Sequence, residues 1–261
     1  MAWRTPATRW AGNIAVIENA QATLAWRGES PNNQTYDFRM LAAVRGPSVA
    51  QAIIPTSRNI TSFEQIVEQK IPVRVATFEP AQLAAQMAVA ILEEYGITRE
   101  KLESWGGQLI FTSAEEGYRM INDGIADMWF TGASVYPHPS PIELGTKEPC
   151  RVLSVSKEVA TAVAQQYGAS VGEGPAGVYD DANGENESYW SPLLVVGFAV
   201  RTGLDEDLVY RITDALWKYR EEFRQMHSQH AIYDQNAWQG IGEAPLHPGA
   251  ERWYREQGFM K

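Results

Sequence analysis

The sequence predicts an α/β fold with a parallel β-sheet at its centre. Two observations carry this prediction. First, short apolar segments alternate with helical patterns between Ile71 and Thr131, in the order strand, helix, strand, helix, strand. Second, the turns between these segments are short, which is typical of parallel strands joined by right-handed crossovers. Ligands of such sheets bind beyond the carboxyl ends of the strands, so the polar turns at those ends are candidate contacts.

Each element of this central stretch has its own signal in the sequence. The predicted strands cover residues 73–77, 109–112 and 128–130. Pro80 suits the first turn of the helix after the first strand, because the amide hydrogen that proline lacks is not needed there. Apolar residues at helical spacing continue to Gly96, which ends this helix. Ser113 and Glu116 predict a capping box at the start of the next helix.

The flanking sequence adds further predicted elements. Before the central stretch, the sequence predicts a short helix and then a strand over 13–26, strands over 40–44 and 50–54, and a helix over 61–69. After it, the sequence predicts an irregular connection over 135–149, a strand over 151–155, a helix over 156–167 and an exposed loop over 172–189. The C-terminal part is predicted to contain a buried strand over 193–200, one long helix over 205–230, and a proline-bounded turn into a short final helix. The irregular connection is predicted from its four prolines, and the buried strand from its continuous apolar run.

Composition limits the class of protein. A chain of 261 residues can form one large domain or two lobes of ordinary size. A hydrophobic content of 44% and a charged content of 21% are typical of soluble globular proteins. The net charge of −10 argues against a nucleic-acid partner and against an anionic membrane surface, but not against a small anionic ligand, since a few local donors decide that. Cys150 is the only cysteine, which excludes an internal disulfide framework.

The C-terminal residues 245–258, Pro-Leu-His-Pro-Gly-Ala-Glu-Arg-Trp-Tyr-Arg-Glu-Gln-Gly, resemble the signature of the TAXI family, the solute receptors of tripartite ATP-independent periplasmic (TRAP) transporters. Segments 205–217, 124–130 and 13–24 support this resemblance, which covers most of the chain. It implies a type II periplasmic-binding-protein fold, with two lobes around a cleft that holds the ligand. It also implies a periplasmic location and delivery of the ligand to TRAP membrane permease subunits. Family ligands are small carboxylates or amino acids such as glutamate, so the implied ligand is anionic or zwitterionic.

Two departures from the family pattern affect the expected domains. The family begins with a strand and a glycine-rich turn that touch the ligand, whereas this sequence starts after them and has no signal-peptide core. We therefore expect a first lobe that lacks its N-terminal strand, formed by residues 1–70 and 190–261, and a second lobe formed by 71–189. In addition, residues 77–80 read Thr-Phe-Glu-Pro where the family has a small, glycine- and serine-rich turn.

The predicted ligand contacts are Asn13, Thr77, Phe78, Glu79, Thr131, Gly132, Ser134, Tyr179 and Trp190. A helix that starts near Pro80 offers free amide groups to a carboxylate. Glu79 would compete for the same donors, and it could instead contact a ligand ammonium or cap the helix. Thr131, Gly132 and Ser134 offer hydroxyl donors and close backbone approach, although turn geometry alone would also explain them. The aromatic residues could line the cleft or belong to the core.

The sequence does not point to catalysis. We find no Gly-x-Ser-x-Gly, Walker or Gly-x-Gly-x-x-Gly pattern, and we predict no catalytic residue and no cofactor. His227 and His230 lie three residues apart but have no firm third ligand, so no metal site is predicted. The leading hypothesis is a transport receptor. The alternatives are a receptor-derived sensor or scaffold that no longer binds the ligand and, as the least favoured, an enzyme on the same fold.

Overall fold

The computed structural model describes residues 12–29, 34–135, 139–174 and 189–261. The chain divides into two compact units. Unit 1 comprises Met1–Pro47, Tyr167–Ser170 and Leu194–Lys261, and unit 2 comprises Ser48–Gln166 and Val171–Leu193. Residues 48–70 therefore group with unit 2, whereas the sequence placed them with the N-terminal lobe. Within the described ranges, no helix combines the length and the apolar character needed to cross a membrane.

Both strands and helices occur throughout the described chain, which confirms the predicted α/β class. The strands are β1 (Ile14–Glu18), β2 (Phe38–Pro55), β3 (Arg74–Thr77), β4 (Gln108–Phe111), β5 (Met128–Val135), β6 (Cys150–Val152), β7 (Ser170–Gly174) and β8 (Tyr189–Arg201). The α-helices are α1 (Asn19–Arg27), α2 (Phe63–Gln69), α3 (Leu83–Glu94), α4 (Arg99–Ser104), α5 (Ala114–Asn122), α6 (Pro139–Lys147), α7 (Lys157–Tyr167), α8 (Glu206–Lys218), α9 (Arg220–Gln225) and α10 (Pro248–Glu256). Two 3₁₀ turns cover Thr56–Arg58 and Ser228–Ile232.

Unit 1 is built on β1, the C-terminal part of β8 and the N-terminal part of β2. β1 pairs antiparallel with β8, from Ile14 opposite Val200 to Glu18 opposite Val196. An apolar cluster joins β2 and β8 to α8 and α10; its fully buried aromatic members are Tyr233, Trp253 and Tyr254. α10 packs closely on α8 at Gly249, where an added Cβ would overlap the Glu206 carbonyl oxygen. Glycine is therefore required at this helix contact.

Unit 2 contains the predicted parallel arrangement. β3 pairs in parallel with β4, from Arg74 opposite Gln108 to Thr77 opposite Phe111, and in parallel with β5 through Val75 and Met128. β5 pairs antiparallel with β2 on its other side, and β6 pairs antiparallel with the end of β2. The strand–helix–strand–helix–strand order predicted from the sequence is thus confirmed, and α4 is an additional helix that the sequence reasoning missed.

The N-terminal prediction was wrong in its order. β1 precedes α1, whereas we predicted a helix followed by a strand. The β-branched residues Ile14, Val16 and Ile17 pair with β8, while the Asn-Ala-Gln-Ala-Thr-Leu-Ala run that follows is rich in helix formers. The two strands predicted over 40–44 and 50–54 are one strand, β2, which continues through Gly46-Pro47 and pairs with β5 from Ser48 onward.

Three helix boundaries also differ from the prediction. α3 begins at Leu83 rather than near Pro80, because a turn closed by the Gln82 amide and the Glu79 carbonyl precedes it. The connection predicted to be irregular contains α6, whose prolines occupy its first turn, where no amide hydrogen is needed. The helix predicted over 205–230 is divided into α8, α9 and a 3₁₀ turn, with Tyr219 outside helical geometry between the first two.

His247 is the N-cap residue of α10, which begins at Pro248. The buried His247 ring accepts a hydrogen bond through Nδ1 from the Gly249 amide at 3.2 Å, and its own amide donates to the Met40 carbonyl. His247 therefore makes structural hydrogen bonds in this turn. Because Nδ1 is the acceptor, the neutral ring carries its proton on Nε2.

We expect His247→Ala to lower the free energy of unfolding by about 2 kcal/mol, since it removes both the cap and a buried ring. His247→Asn keeps a side-chain acceptor at the cap position and should lose clearly less. Urea unfolding of both variants measures the difference. Equal losses would show that the ring contributes only volume and that the cap is without effect.

Candidate functional site

The carboxyl end of β3 contains three of the predicted contacts. Thr77 is fully buried, its carbonyl accepts from the Thr112 amide at 2.8 Å, and its hydroxyl has no hydrogen-bond partner. Phe78 packs edge-to-face on Trp129, with ring centroids 5.0 Å apart. Glu79 is exposed. Phe78 is therefore part of an aromatic core contact, and the polar groups at this strand end come from Thr77 and Glu79.

Strand alternation places the Thr77 side chain on the α3 side of the sheet. Ala76 belongs to the same apolar cluster as Trp129 and α5, so its neighbour Thr77 points to the other face. That face is covered by α3, because a Cβ at Gly132 of the adjacent strand would lie 2.6 Å from the Ala88 amide nitrogen and 2.8 Å from the Ala84 carbonyl oxygen. The unpaired Thr77 hydroxyl is thus buried under the helix that follows its strand.

The start of α3 differs from the start of α5, the next helix of this unit. The α3 N-cap residue, Gln82, makes no capping hydrogen bond with its side chain, and the first turn holds no acidic residue. α5 is capped by Ser113, which accepts from the Glu116 amide at 3.3 Å, and it carries two acidic residues in its first turn. The Ala85 amide donates to the Gln82 carbonyl at 3.0 Å, but no side chain caps the amide groups before it, and residues 79–82 in front of them are exposed.

Thr131, Gly132 and Ser134 lie inside β5, so the prediction that they form a turn was wrong. The strand runs on to Val135 because it gains a partner in β2: Thr131 lies opposite Gln51, and Ser134 lies opposite Val49. Between these two pairs, residues 132 and 133 of β5 lie opposite the single residue Ala50 of β2, so a β-bulge falls at this point. Thr131 and Gly132 are buried.

The bulge brings in two buried polar residues that the sequence reasoning missed. The Ala50 amide donates to the Ser191 hydroxyl at 2.7 Å instead of to the strand ladder, and this hydroxyl donates in turn to the Pro192 carbonyl. Gln51, beside Ala50, is also buried. Neither residue stands in a recognisable motif; the available signal was a polar side chain within an otherwise apolar strand, which requires a hydrogen-bond partner when buried.

The other predicted contacts lie elsewhere in the chain. The Lys157 ammonium lies 4.3 Å from the centroid of the Trp190 ring, so one face of this ring is already used in a cation–π contact. Asn13 is exposed in unit 1, where its carbonyl accepts from the Arg201 amide. Tyr179 lies outside the described residues.

A buried carboxylate with two arginine partners lies at the amino end of β3, opposite to the strand end that contains the predicted contacts. Arg74, the first residue of β3, binds the buried Asp127 carboxylate through two guanidinium contacts at 2.8 and 2.7 Å. Arg58 contacts the same carboxylate at 3.2 Å. Burial by itself would raise the pKa of Asp127, but the hydrogen bonds from Arg74 and the charges of both arginines outweigh it, so this pKa is lowered.

Among the described residues, no group of three His, Cys, Asp or Glu side chains is arranged to hold a metal ion. The His230 ring stacks on Phe223 at 4.2 Å and bonds to its carbonyl through Nδ1, while His227 uses Nδ1 to accept from the Gln229 amide. Both histidines therefore have structural contacts at the end of α9. The buried Cys150 thiol has its pKa raised to about 12 by burial and by Glu148, so it is not poised as a nucleophile.

Residues 9–258 match the sequence profile of the NMT1-like family. This match covers nearly the whole chain, and the protein belongs to the NMT1-like family.

Several solved structures are similar in fold at low sequence identity. A TctC solute-binding protein from Polaromonas is 15% identical, with 84% of this chain and 75% of that one covered and a TM-score of 0.46. The periplasmic aliphatic sulphonate binding protein from Escherichia coli is 9% identical, with 94% and 65% covered and a TM-score of 0.45. The second substrate-binding domain of a putative amino acid ABC transporter from Streptococcus pneumoniae is 12% identical, with a TM-score of 0.37; 74% of this chain is covered, and it spans 65% of that domain.

Proposed function

We propose that this protein is an extracytoplasmic solute-binding receptor of a TRAP-type transporter of the TAXI kind, and that it captures a small carboxylate or amino acid. Membership of the NMT1-like family, together with the similarity in fold to a TctC solute-binding protein and to a substrate-binding domain of a putative amino acid ABC transporter, supports the receptor class. The C-terminal resemblance described above supports the TRAP and TAXI assignment. The observation that carries the proposal is that the chain after β3 offers both an uncapped, acid-free helix start at α3 and, at the last residue of the strand, the buried, unpaired hydroxyl of Thr77.

The start of α3 has the chemistry to accept an anionic group. Amide hydrogens in the first turn of a helix point out of its N-terminus, and the helix dipole favours negative charge at that end. α3 has 12 residues and directly follows the carboxyl end of β3, the position at which α/β sheets bind ligands. A ligand carboxylate there would replace the missing cap, and a zwitterionic ligand could place its ammonium near the exposed Glu79 carboxylate.

The Thr77 hydroxyl would serve as a neutral donor to the same ligand. An unpaired buried hydroxyl costs about 1–3 kcal/mol, which is a reason to expect a partner for it in the working protein. Gly132 would act indirectly, by letting α3 lie against β5 and so fixing the position of its first turn. The remaining predicted contacts, Thr131, Ser134, Asn13, Tyr179 and Trp190, stay predictions, as does a ligand cleft between two lobes.

The proposed partners follow from the receptor class. A receptor of this kind acts outside the cytoplasm and delivers its ligand to TRAP membrane permease subunits. Within this proposal the protein changes the location of the ligand and not its covalent structure, so no cofactor and no catalytic residue are assigned.

Ligand binding is testable by thermal shift with defined probes. We expect L-glutamate or succinate, or a related amino acid or dicarboxylate in the same panel, to raise the melting temperature in a concentration-dependent manner, because a ligand that binds only the folded state stabilises it. Glucose, which carries no charge, serves as the comparison of similar size. An unchanged melting temperature with the whole panel would favour the receptor-derived sensor or scaffold. If NMR shows that a bound compound is converted into a product, an enzyme would be favoured.

Thr77→Val tests whether the Thr77 hydroxyl binds the ligand. We expect the ligand found in that panel to bind at least about tenfold more weakly, because one hydrogen bond to a charged group is lost. The free energy of unfolding should stay the same or rise, because the removed hydroxyl has no partner within the protein. Isothermal titration and urea unfolding measure the two effects.

Thr213→Val is a matched control, since Thr213 is equally buried but donates to the Val209 carbonyl at 2.9 Å. This variant should lose stability and keep its affinity. If Thr77→Val binds the ligand as tightly as the unmodified protein, the assignment of Thr77 to the site is wrong.

A further inference from the structure

A free carboxylate lies in the turn that leads from β3 to α3. Glu79 is the second residue after β3 and is exposed. Its carboxylate makes no hydrogen bond and no ion pair with any residue that the structure describes. The N-cap position of α3 belongs to Gln82, so Glu79 does not cap the helix that it precedes. The carboxylate of Glu79 is therefore available to a ligand at this end of the strand.

A β-turn holds Glu79 close to two free amide groups. The Gln82 amide donates to the Glu79 carbonyl at 2.9 Å, which closes the turn. The first and last Cα atoms of a β-turn lie within about 7 Å of each other. The next two amides along the chain, those of Leu83 and Ala84, have no acceptor among the described residues. One short turn thus carries an acceptor for positive charge at one end and two donors for negative charge at the other.

No cationic side chain accompanies these groups in the segments that follow the parallel strands β3 and β4. Residues 78–94 and 112–118 contain no lysine, arginine or histidine. Arg74, at the amino end of β3, is bound to Asp127. The second carboxylate of a dicarboxylate would therefore meet negative charge and no counter-charge in these segments. Repulsion of this kind is a means by which proteins reject a competing ligand.

We propose that the site at the start of α3 selects neutral amino acids over dicarboxylates, with Glu79 as the residue that determines this specificity. This inference rests on the receptor function proposed above. The ligand carboxylate accepts from the Leu83 and Ala84 amides, and the ligand ammonium donates to the Glu79 carboxylate. A single carbon atom separates the two charged groups of an α-amino acid, so both reach binding groups that one turn holds together.

Isothermal titration with matched compounds tests the selection. L-alanine is paired with propionate and L-leucine with 4-methylpentanoate, so that the members of each pair differ only in the amino group, and succinate is the dicarboxylate. We expect an amino acid of these pairs to bind at least about tenfold more tightly than its analogue and than succinate, because only the amino acid bonds to Glu79.

Glu79→Gln should remove this advantage. The affinity for the amino acid should fall about tenfold, and the affinity for the analogue should stay the same or rise. Because Glu79 is exposed and its carboxylate has no partner, glutamine should leave the urea unfolding curve unchanged. Glu103→Gln is the matched control, since Glu103 is an exposed residue of α4, which leads into the amino end of β4, and this variant should keep every affinity.

The results separate this inference from the proposed function. Thr77→Val should weaken both members of a pair, because both contain the carboxylate that the hydroxyl would bind. The selection by Glu79 is overturned, and the receptor function stands, if the unmodified protein binds succinate or the analogue as tightly as the amino acid, or if Glu79→Gln keeps the preference. If neither these compounds nor the thermal-shift panel bind, both proposals are overturned.

Discussion

Gly132→Ala is expected to lower the free energy of unfolding of the protein by at least about 3 kcal/mol. A Cβ at this position would lie 2.6 Å from the Ala88 amide nitrogen and 2.8 Å from the Ala84 carbonyl oxygen, and would also overlap Met87. Two of these three neighbours are backbone atoms of α3, which cannot turn aside as a flexible side chain can. The helix would have to move away from β5, and the start of α3 would move with it. Urea unfolding measures the loss.

Gly145→Ala is the matched control for this change. Gly145 lies in α6 with no atom within 4 Å of an added Cβ, so alanine should leave stability unchanged or raise it through its higher helix propensity. The comparison separates two roles for Gly132. If it only gave a ligand access to the backbone, as the sequence reasoning allowed, alanine would weaken binding and leave the free energy of unfolding nearly unchanged. A loss below about 1 kcal/mol would contradict the packing role described here.

The part of the fold that could be predicted is the part encoded by local signals. Ser113 and Glu116 specify the start of α5 within four residues, and Gly96 follows the end of α3 in a left-handed conformation that glycine adopts readily. The alternation before Thr77 predicts β3 from five residues. These signals need no knowledge of distant neighbours, and the parallel arrangement of β3, β4 and β5 follows from their order.

The errors arose where distant parts of the chain decide the local structure. Thr131 to Ser134 resemble a turn, but pairing with β2 keeps them extended. Gly46 and Pro47 suggest a break, yet β2 continues because new partners follow at Ser48. The residues around Pro80 favour a helix start there, but they do not indicate the tight turn closed between Glu79 and Gln82, after which α3 begins at Leu83.

The candidate site shows the same division. Thr77 was predicted from its place at the end of β3, and the structure adds that its hydroxyl is buried and unpaired, which no local pattern specifies. Gln51 and Ser191 were missed because both are far from β5 in sequence: strand pairing places Gln51 opposite Thr131, and Ser191 bonds to the Ala50 amide at the bulge. Contacts made through a bulge depend on the register of two strands, and the sequence of one strand does not determine that register.

Asp127→Asn is the second change for which we expect a large effect, a loss of about 3 kcal/mol in the free energy of unfolding. The carboxylate is buried and accepts from the Arg74 amide as well as from its guanidinium, so the neutral amide leaves Arg74 and Arg58 without their counter-charge. Breaking a buried ion pair by removing one partner costs about 3–5 kcal/mol, and the lower end applies because both arginine side chains are 34% exposed. Asp207→Asn, at an exposed pair with Arg252, is the control and should change stability very little.

The same pair predicts how the protein responds to acid. Because folding lowers the pKa of Asp127, the folded state favours the ionised carboxylate, and its contribution is complete above the unfolded pKa of about 3.9. The contribution is lost as the pH falls through the lower folded pKa. The stability difference between the unmodified protein and Asp127→Asn should therefore be constant near neutral pH and shrink below about pH 4. Urea unfolding as a function of pH measures this difference, and a gap that persists undiminished well below that pH would mean that the loss comes from packing and not from the charge of Asp127.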